Sequence, residues 1–176
     1  MFLSYLAYFI FSIPAGSILA RIGYKKGIIL GLLTMAFGCL LFYPASEYRM
    51  FNVFLLGYFI LAAGITVLQV AANPYVSLLG SEQGASSRLN LAQAFNSLGT
   101  TIAPIIGALF LLSETVKTST EINALSIQEK ESYLTAEAAT VQTPFLTIAA
   151  IIGVLAVVFM IVKIPTIMEK SPKGGY

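Results

Sequence analysis

Five side-chain amides and their hydroxyl neighbours are the groups in this chain best placed to do chemistry, because they interrupt stretches that are otherwise apolar. Gln69 and Asn73 lie in the segment Gln69-Val-Ala-Ala-Asn73-Pro74-Tyr75, and Asn90, Gln93 and Asn96 follow with Ser97, Thr100 and Thr101. An amide carries a donor and an acceptor side by side, which matches a hydroxyl or a vicinal diol without charge. A polar group inside an apolar run long enough to cross a bilayer is costly, so it marks a solute pathway or a bond between helices. Amides that merely join helices would contribute roughly 0.6 to 2 kcal/mol each and need no stripes several turns long. The pattern therefore favours a pathway for an uncharged, hydroxyl-rich solute such as a sugar. Catalysis has little to work with, since the apolar runs hold no charged or nucleophile-plus-base set; the expectation is a protein that is not an enzyme. The chain has no His and a single cysteine, Cys39, so no Cys/His metal site or internal disulfide is expected. Cys39, beside Gly38, reads as a small packing residue.

The elements that must position these amides are membrane helices. Of 176 residues 57% are hydrophobic and 10% charged, too few charges to solvate a water-soluble surface. No Lys, Arg or Glu occurs between Met1 and Ala20, Ile28 and Ser46, Phe51 and Ser81, Leu89 and Ser113, or Gln142 and Val162. The fold class is all-α membrane protein, with five spans expected at about 1–22, 28–46, 51–80, 89–113 and 143–165. With residues about 100° apart, Thr66, Gln69 and Asn73 share one arc of the third span. Asn90, Gln93, Ser97 and Thr101 share one arc of the fourth, with Asn96 and Thr100 beside it. Small residues recur at packing spacing, Gly27, Gly31, Thr34 and Gly38 in the second span and Gly99, Ala103 and Gly107 in the fourth. Pro14, Pro74 and Pro104 each withhold an N–H and can bend their helix. Tyr8, Tyr58, Tyr75 and Phe95 could stack on a sugar ring, although packing is the commoner role of such aromatics.

Orientation follows from the basic residues. Arg21, Lys25, Lys26, Arg88, Lys163, Lys170 and Lys173 fall on one side, and Arg49, Lys117 and Lys130 on the other. The positive-inside rule makes the first side cytoplasmic, with the N-terminus outside and the C-terminus inside. A signal peptide fits poorly, since the first run has no basic residues before it. An odd helix count and an abrupt apolar start suggest a chain that begins one helix late. The segment 114–142, rich in Glu, is expected to be an outer loop; its stretch from Ser126 to Ala139 is helix-compatible, with Ser126 and Glu129 at the spacing of a capping box. A lid over an outer vestibule is one reading of it, a solvated surface segment the other.

The stretch Phe11-Ser-Ile-Pro14-Ala-Gly16-Ser-Ile-Leu-Ala20-Arg21-Ile-Gly23-Tyr24-Lys25-Lys26-Gly27 resembles the loop between helices two and three of the major facilitator superfamily, with Gly16, Arg21, Gly23 and Lys25 at matching places. The segments from Gln69 to Tyr75 and from Arg88 through Asn90, Gln93 and Asn96 to Gly99 resemble helices four and five of its fucose, glucose and galactose permease branch. The resemblance implies that residues 1–165 are helices two to six of a twelve-helix carrier, most of its N-terminal half, and that residues 166–176 start a cytoplasmic central linker. It implies alternating access in a bacterial inner membrane, with a hexose as substrate, H⁺ or Na⁺ as coupling ion and no other cofactor. The partners are then the sugar, the lipid bilayer and the missing helix one and C-terminal half, with no nucleic acid. Gln69, Asn73, Asn90, Gln93 and Asn96 would face the sugar, and Gly16, Arg21, Gly23 and Lys25 would belong to the cytoplasmic gate. Two positions depart from the pattern. Ala20 stands where the superfamily usually has an acid, and Gln69 where fucose permeases carry a Glu implicated in proton coupling. Gln cannot titrate, and this form is similar to the glucose/galactose members. A bundle that packs in the membrane without transporting is the alternative.

Overall fold

The apolar runs fold as helices joined by short turns. The structure, a computed structural model, describes residues 2–111 and 117–163, with the side chains of residues 2–4, 110, 111 and 119 excepted. The expected end of the fourth span at Ser113, Glu114 at the loop start, the closing Ile164-Pro165 pair and the linker 166–176 lie outside the described residues. The elements are α1 (Phe2–Ile22), α2 (Tyr24–Leu40), α3 (Phe42–Glu47), α4 (Phe51–Leu78), α5 (Ala85–Leu111), α6 (Ser119–Ala124) and α7 (Ile127–Ile161).

The turn from α1 to α2 is a single residue. Gly23 has φ 80°, a left-handed value that residues with a Cβ rarely adopt, so α2 starts at Tyr24. Charges bound the second span at residue 28 in the sequence reading, but Lys25 and Lys26 are inside its first helical turn. At the other end α2 runs almost without interruption into α3, so that Tyr24–Glu47 is one apolar segment of 24 residues. A tight turn at Arg49, the one described non-glycine residue with positive φ, at 50°, then reverses the chain into α4.

The segment expected as an outer loop, with its helix-compatible stretch from Ser126 to Ala139, is continuous with the last span. Residues 127–142 are the first turns of α7, a helix of 35 residues that continues to Ile161. At about 1.5 Å per residue it is some 50 Å long, well beyond a hydrocarbon core of about 30 Å, so its charged N-terminal turns project into water. The Ser126–Glu129 capping box starts it: the Ser126 hydroxyl accepts from the Glu129 N–H, and the Glu129 carboxylate accepts from the Ser126 N–H. Thr118 and Glu121 form the same box ahead of α6. Pro144 therefore sits inside a helix and not at its start.

The centre of the bundle is the pair α2 and α4, with α1 against α4 and α7 against α2. Glycine lets these two backbones meet. A Cβ at Gly31 would lie 2.8 Å from the Leu68 N, at Gly38 2.6 Å from the Leu61 N, and at Gly64 2.6 Å from the Met35 N. The expected small-residue face of the second span is thus a helix seam, and Gly57 and Gly64 supply its unpredicted other half. The matching row on the fourth span is not one among the described residues: nothing lies within 4 Å of a Cβ at Gly99 or Gly107. Outside the seam the surface is apolar, with Phe9 and Ile13 each 78% exposed and Leu109 73%. Among the described residues, four helices are long and apolar enough to cross a membrane. α5, at 27 residues, has the length, while its amides and hydroxyls make it less apolar. The chain is an integral membrane protein, and lipid is the solvent of its outer face.

Candidate functional site: a polar band across three helices

The amides of α4 and α5 come together where these helices pass one another. Gln69 and Asn73 are one turn apart on α4 and half-buried. The Gln93 Nε2 donates to the Asn73 Oδ1 at 3.4 Å, linking α5 to α4, and the Tyr8 hydroxyl donates to the Gln69 Oε1, linking α1 to α4. A band of neutral hydrogen-bonding groups therefore crosses α1, α4 and α5. Tyr8 enters it as a hydrogen-bond partner, a role that its aromatic character does not announce.

The other residues expected to face a solute are distributed differently. Asn90 and Asn96 are exposed on α5 and make no hydrogen bond to another helix among the described residues. Ser97 offers its carbonyl to the hydroxyls of Thr100 and Thr101, both at 2.9 Å, so those side chains are partly occupied by their own helix. Thr66 departs from the expected stripe. It is fully buried, its hydroxyl donates to the Ala62 carbonyl at 2.9 Å, and it packs inside the bundle. Tyr75 is also in the core, with its ring 6.3 Å from that of Tyr24, whereas Phe95 is 67% exposed on α5.

α5 is anchored below this band by Arg88. Its Nε donates to the Val76 carbonyl at 3.1 Å, and one terminal nitrogen to the carbonyls of Ser77 at 2.7 Å and Ser81 at 3.0 Å. Those carbonyls lie at and just past the C-terminus of α4, where a helix leaves acceptors without intrahelical partners and favours a cation. Gly84 makes room, because a Cβ there would be 2.7 Å from the guanidinium. Sequence reasoning gave Arg88 no anchoring role; the signal it missed was an arginine opening a helix just after a Gly80 turn.

The four residues expected at a cytoplasmic gate lie on and around the α1–α2 turn in different settings. Gly23 is the turn itself, Arg21 is exposed on the last turn of α1, and Gly16 faces open space. Lys25 donates to the carbonyls of Met160 at 3.3 Å and Val162 at 2.8 Å, capping the C-terminus of α7. At the opposite end Arg49 pairs with Glu131 at 3.2 Å and Gln142 donates to Glu47 at 3.1 Å, which tie the projecting turns of α7 to the α3–α4 region. Both members of the ion pair are well exposed, so it adds little stability by itself.

Comparison with known proteins places this geometry. The chain is 49% identical over 166 residues to a glucose/galactose transporter of Brucella abortus, covering 94% of this chain and 37% of the relative. It is 42% identical over 168 residues to the L-fucose-proton symporter of Escherichia coli, covering 95% of this chain and 38% of that protein. A crystal structure of the transporter FucP in the outward conformation superposes with a TM-score of 0.88 at 38% identity, over 98% of this chain and 42% of that one. The chain thus spans well under half the length of the relatives it resembles. The sequence model of the Major Facilitator Superfamily matches residues 1–175, and the chain belongs to that family.

Proposed function

We propose that this chain is most of the N-terminal half of a sugar carrier that works by alternating access, with glucose, galactose or a fucose-type hexose as substrate. The observation that carries the proposal is the band of Tyr8, Gln69, Asn73 and Gln93, neutral and hydrogen-bonding, across three helices of an apolar bundle. A neutral polyol needs such partners, and apolar packing does not. The named activities of the similar proteins, glucose/galactose transport and L-fucose-proton symport, point to the same solute class. Asn90 and Asn96, exposed on α5, would complete the lining, and the second half of the carrier would close the site from the other side. Gly16, Arg21, Gly23 and Lys25 would sit at the cytoplasmic end, the gate side, of a protein in a bacterial inner membrane. Symport with H⁺ or Na⁺ fits this class of carrier, but Gln69 cannot take up a proton, so the coupling group would lie elsewhere.

The test is uptake and equilibrium binding of labelled D-glucose, D-galactose and L-fucose by the complete carrier. Gln69→Ala should weaken binding by about 1 to 3 kcal/mol, the scale of a buried polar group that loses its partner. Affinity unchanged for every sugar would mean that Gln69 only joins helices.

A further inference from the structure

We infer that Tyr8 is a positioning residue that fixes the Gln69 amide with its amino group toward the solute, an inference that rests on the sugar-lining reading of the band. A glutamine amide can present either end, and the two ends differ in what they recognise. The Tyr8 hydroxyl donates to Oε1, which takes one of that oxygen's two lone pairs and turns the oxygen end of the amide toward α1, leaving the two N–H groups of Nε2 to be used. Tyr8 is held in place by its own helix. Ala7 beside it is fully buried, and one turn on Phe11 meets Phe59 of α4 with ring centroids 5.7 Å apart, so α1 is seated on α4 at this level.

The next turn of α4 repeats the arrangement. Asn73 Oδ1 accepts from Gln93 Nε2, which leaves Asn73 its amino group and leaves Gln93 its Oε1. The α4 side of the site therefore offers amino groups on successive turns, about 6 Å apart, and α5 offers an acceptor opposite. The ligand that fits has two oxygen acceptors along one edge, separated by about the width of a hexose ring, and a hydroxyl hydrogen on the facing edge. Phenylalanine at position 8 would keep the ring and its packing but free the Gln69 amide to turn over. Its effect must then run through Gln69.

A double-mutant cycle on the complete carrier in nanodiscs separates the two ideas, with the tightest-binding of D-glucose, D-galactose and L-fucose as probe. Tyr8→Phe and Gln69→Leu should each weaken binding about 5- to 10-fold, the scale of one hydrogen bond. The double variant should bind no more weakly than Gln69→Leu alone, with the melting midpoint of Tyr8→Phe close to that of the parent. A Tyr8→Phe loss that adds in full to Gln69→Leu, or no loss from Tyr8→Phe, overturns the positioning role while leaving the sugar site standing. No binding of any of the three sugars, or full binding by Gln69→Leu, overturns the sugar-lining reading itself and the inference with it. Deoxy and deoxyfluoro analogues test the polarity directly. Fluorine accepts a hydrogen bond but cannot donate one, so at one ring position or more it should retain binding that a hydrogen loses; no such position overturns the donor assignment.

Discussion

Replacing Gly38 by alanine should loosen the whole bundle, because the new methyl has nowhere to go. Its Cβ would stand 2.6 Å from the Leu61 N, 2.8 Å from the Leu61 Cα and 3.0 Å from the Gly57 carbonyl oxygen. Ordinary contact begins near 3.4 Å, so α2 and α4 would have to separate locally by about 0.8 Å. All three obstacles are backbone atoms, and no rotamer change relieves them. Overpacking of this kind costs about 1 to 3 kcal/mol. The usual gain from glycine to alanine in a helix offsets little of it, since helices that separate within a bilayer remain helical. Gly27→Ala is the internal comparison. There the clash, at 1.9 Å, is with the Leu19 Cδ2, the far end of a flexible side chain, and the next contact is the Ala71 Cβ at 3.3 Å. The melting midpoint of the complete carrier, followed by size exclusion of a fluorescent fusion, should fall on the order of 5 °C for Gly38→Ala and much less for Gly27→Ala. Leu19→Ala should restore the Gly27 variant, and no side-chain truncation should restore the Gly38 variant. Equal, small shifts for both glycines would refute the backbone-contact account of the seam.

Arg88→Lys keeps the charge but cannot serve the Val76, Ser77 and Ser81 carbonyls together; it should destabilise by about 1 to 2 kcal/mol, read as a lower midpoint of thermal unfolding, and a neutral result would reduce Arg88 to a surface charge. A cysteine at Ser132 should react with an impermeant thiol reagent added to intact cells, and one at Ser86 should not; the reverse pattern would invert the proposed orientation. Glu121 is held below the usual carboxylate range, first by the Thr118 N–H at 2.6 Å and then by the Thr118 hydroxyl at 2.8 Å. A depressed folded-state value means that this cap is fully present above the ordinary Glu pKa and is lost as the pH falls through the lowered value. Amide-exchange protection at residues 118–122, corrected for intrinsic rates, should therefore drop below about pH 4, and pH-independent protection would show that the box contributes nothing.

That the apolar runs are helices was legible because charge is so costly in hydrocarbon that its absence marks a helix. Their ends were not, for the same reason. Lysines at 25 and 26 look like a boundary, yet a helix tolerates them in the first turn once Gly23 has reversed the chain. The Ser126–Glu129 box showed where a helix begins, but nothing local says that it runs on through Pro144 into the membrane. Periodicity gives the angle of a side chain about its own axis and not which neighbour covers that angle. Thr66 and Gln69 share an arc, and one is sealed in the bundle while the other meets Tyr8. Gly31 and Gly99 lie in rows of equal spacing, and the described structure closes only the first against a partner. The Gln93–Asn73 contact joins two stripes that the sequence had drawn separately, whereas the Tyr8 bond is made by a phenol set between Ala7 and Phe9, in a run with no amide to mark it.

The single cysteine gains a use from its position. Cys39 follows Gly38 on α2, is 1% exposed, and belongs to the core shared by α2, α4 and α7. A thiol there meets an alkylating reagent only when those helices part, so its modification rate, followed at Cys39 itself, is a clock for breathing of the bundle. Access governs such a reaction as much as the thiol itself does, which keeps the clock slow until the packing opens. Measured with and without sugar, that rate would report whether the half that carries the amides moves as one body or comes apart at the seam.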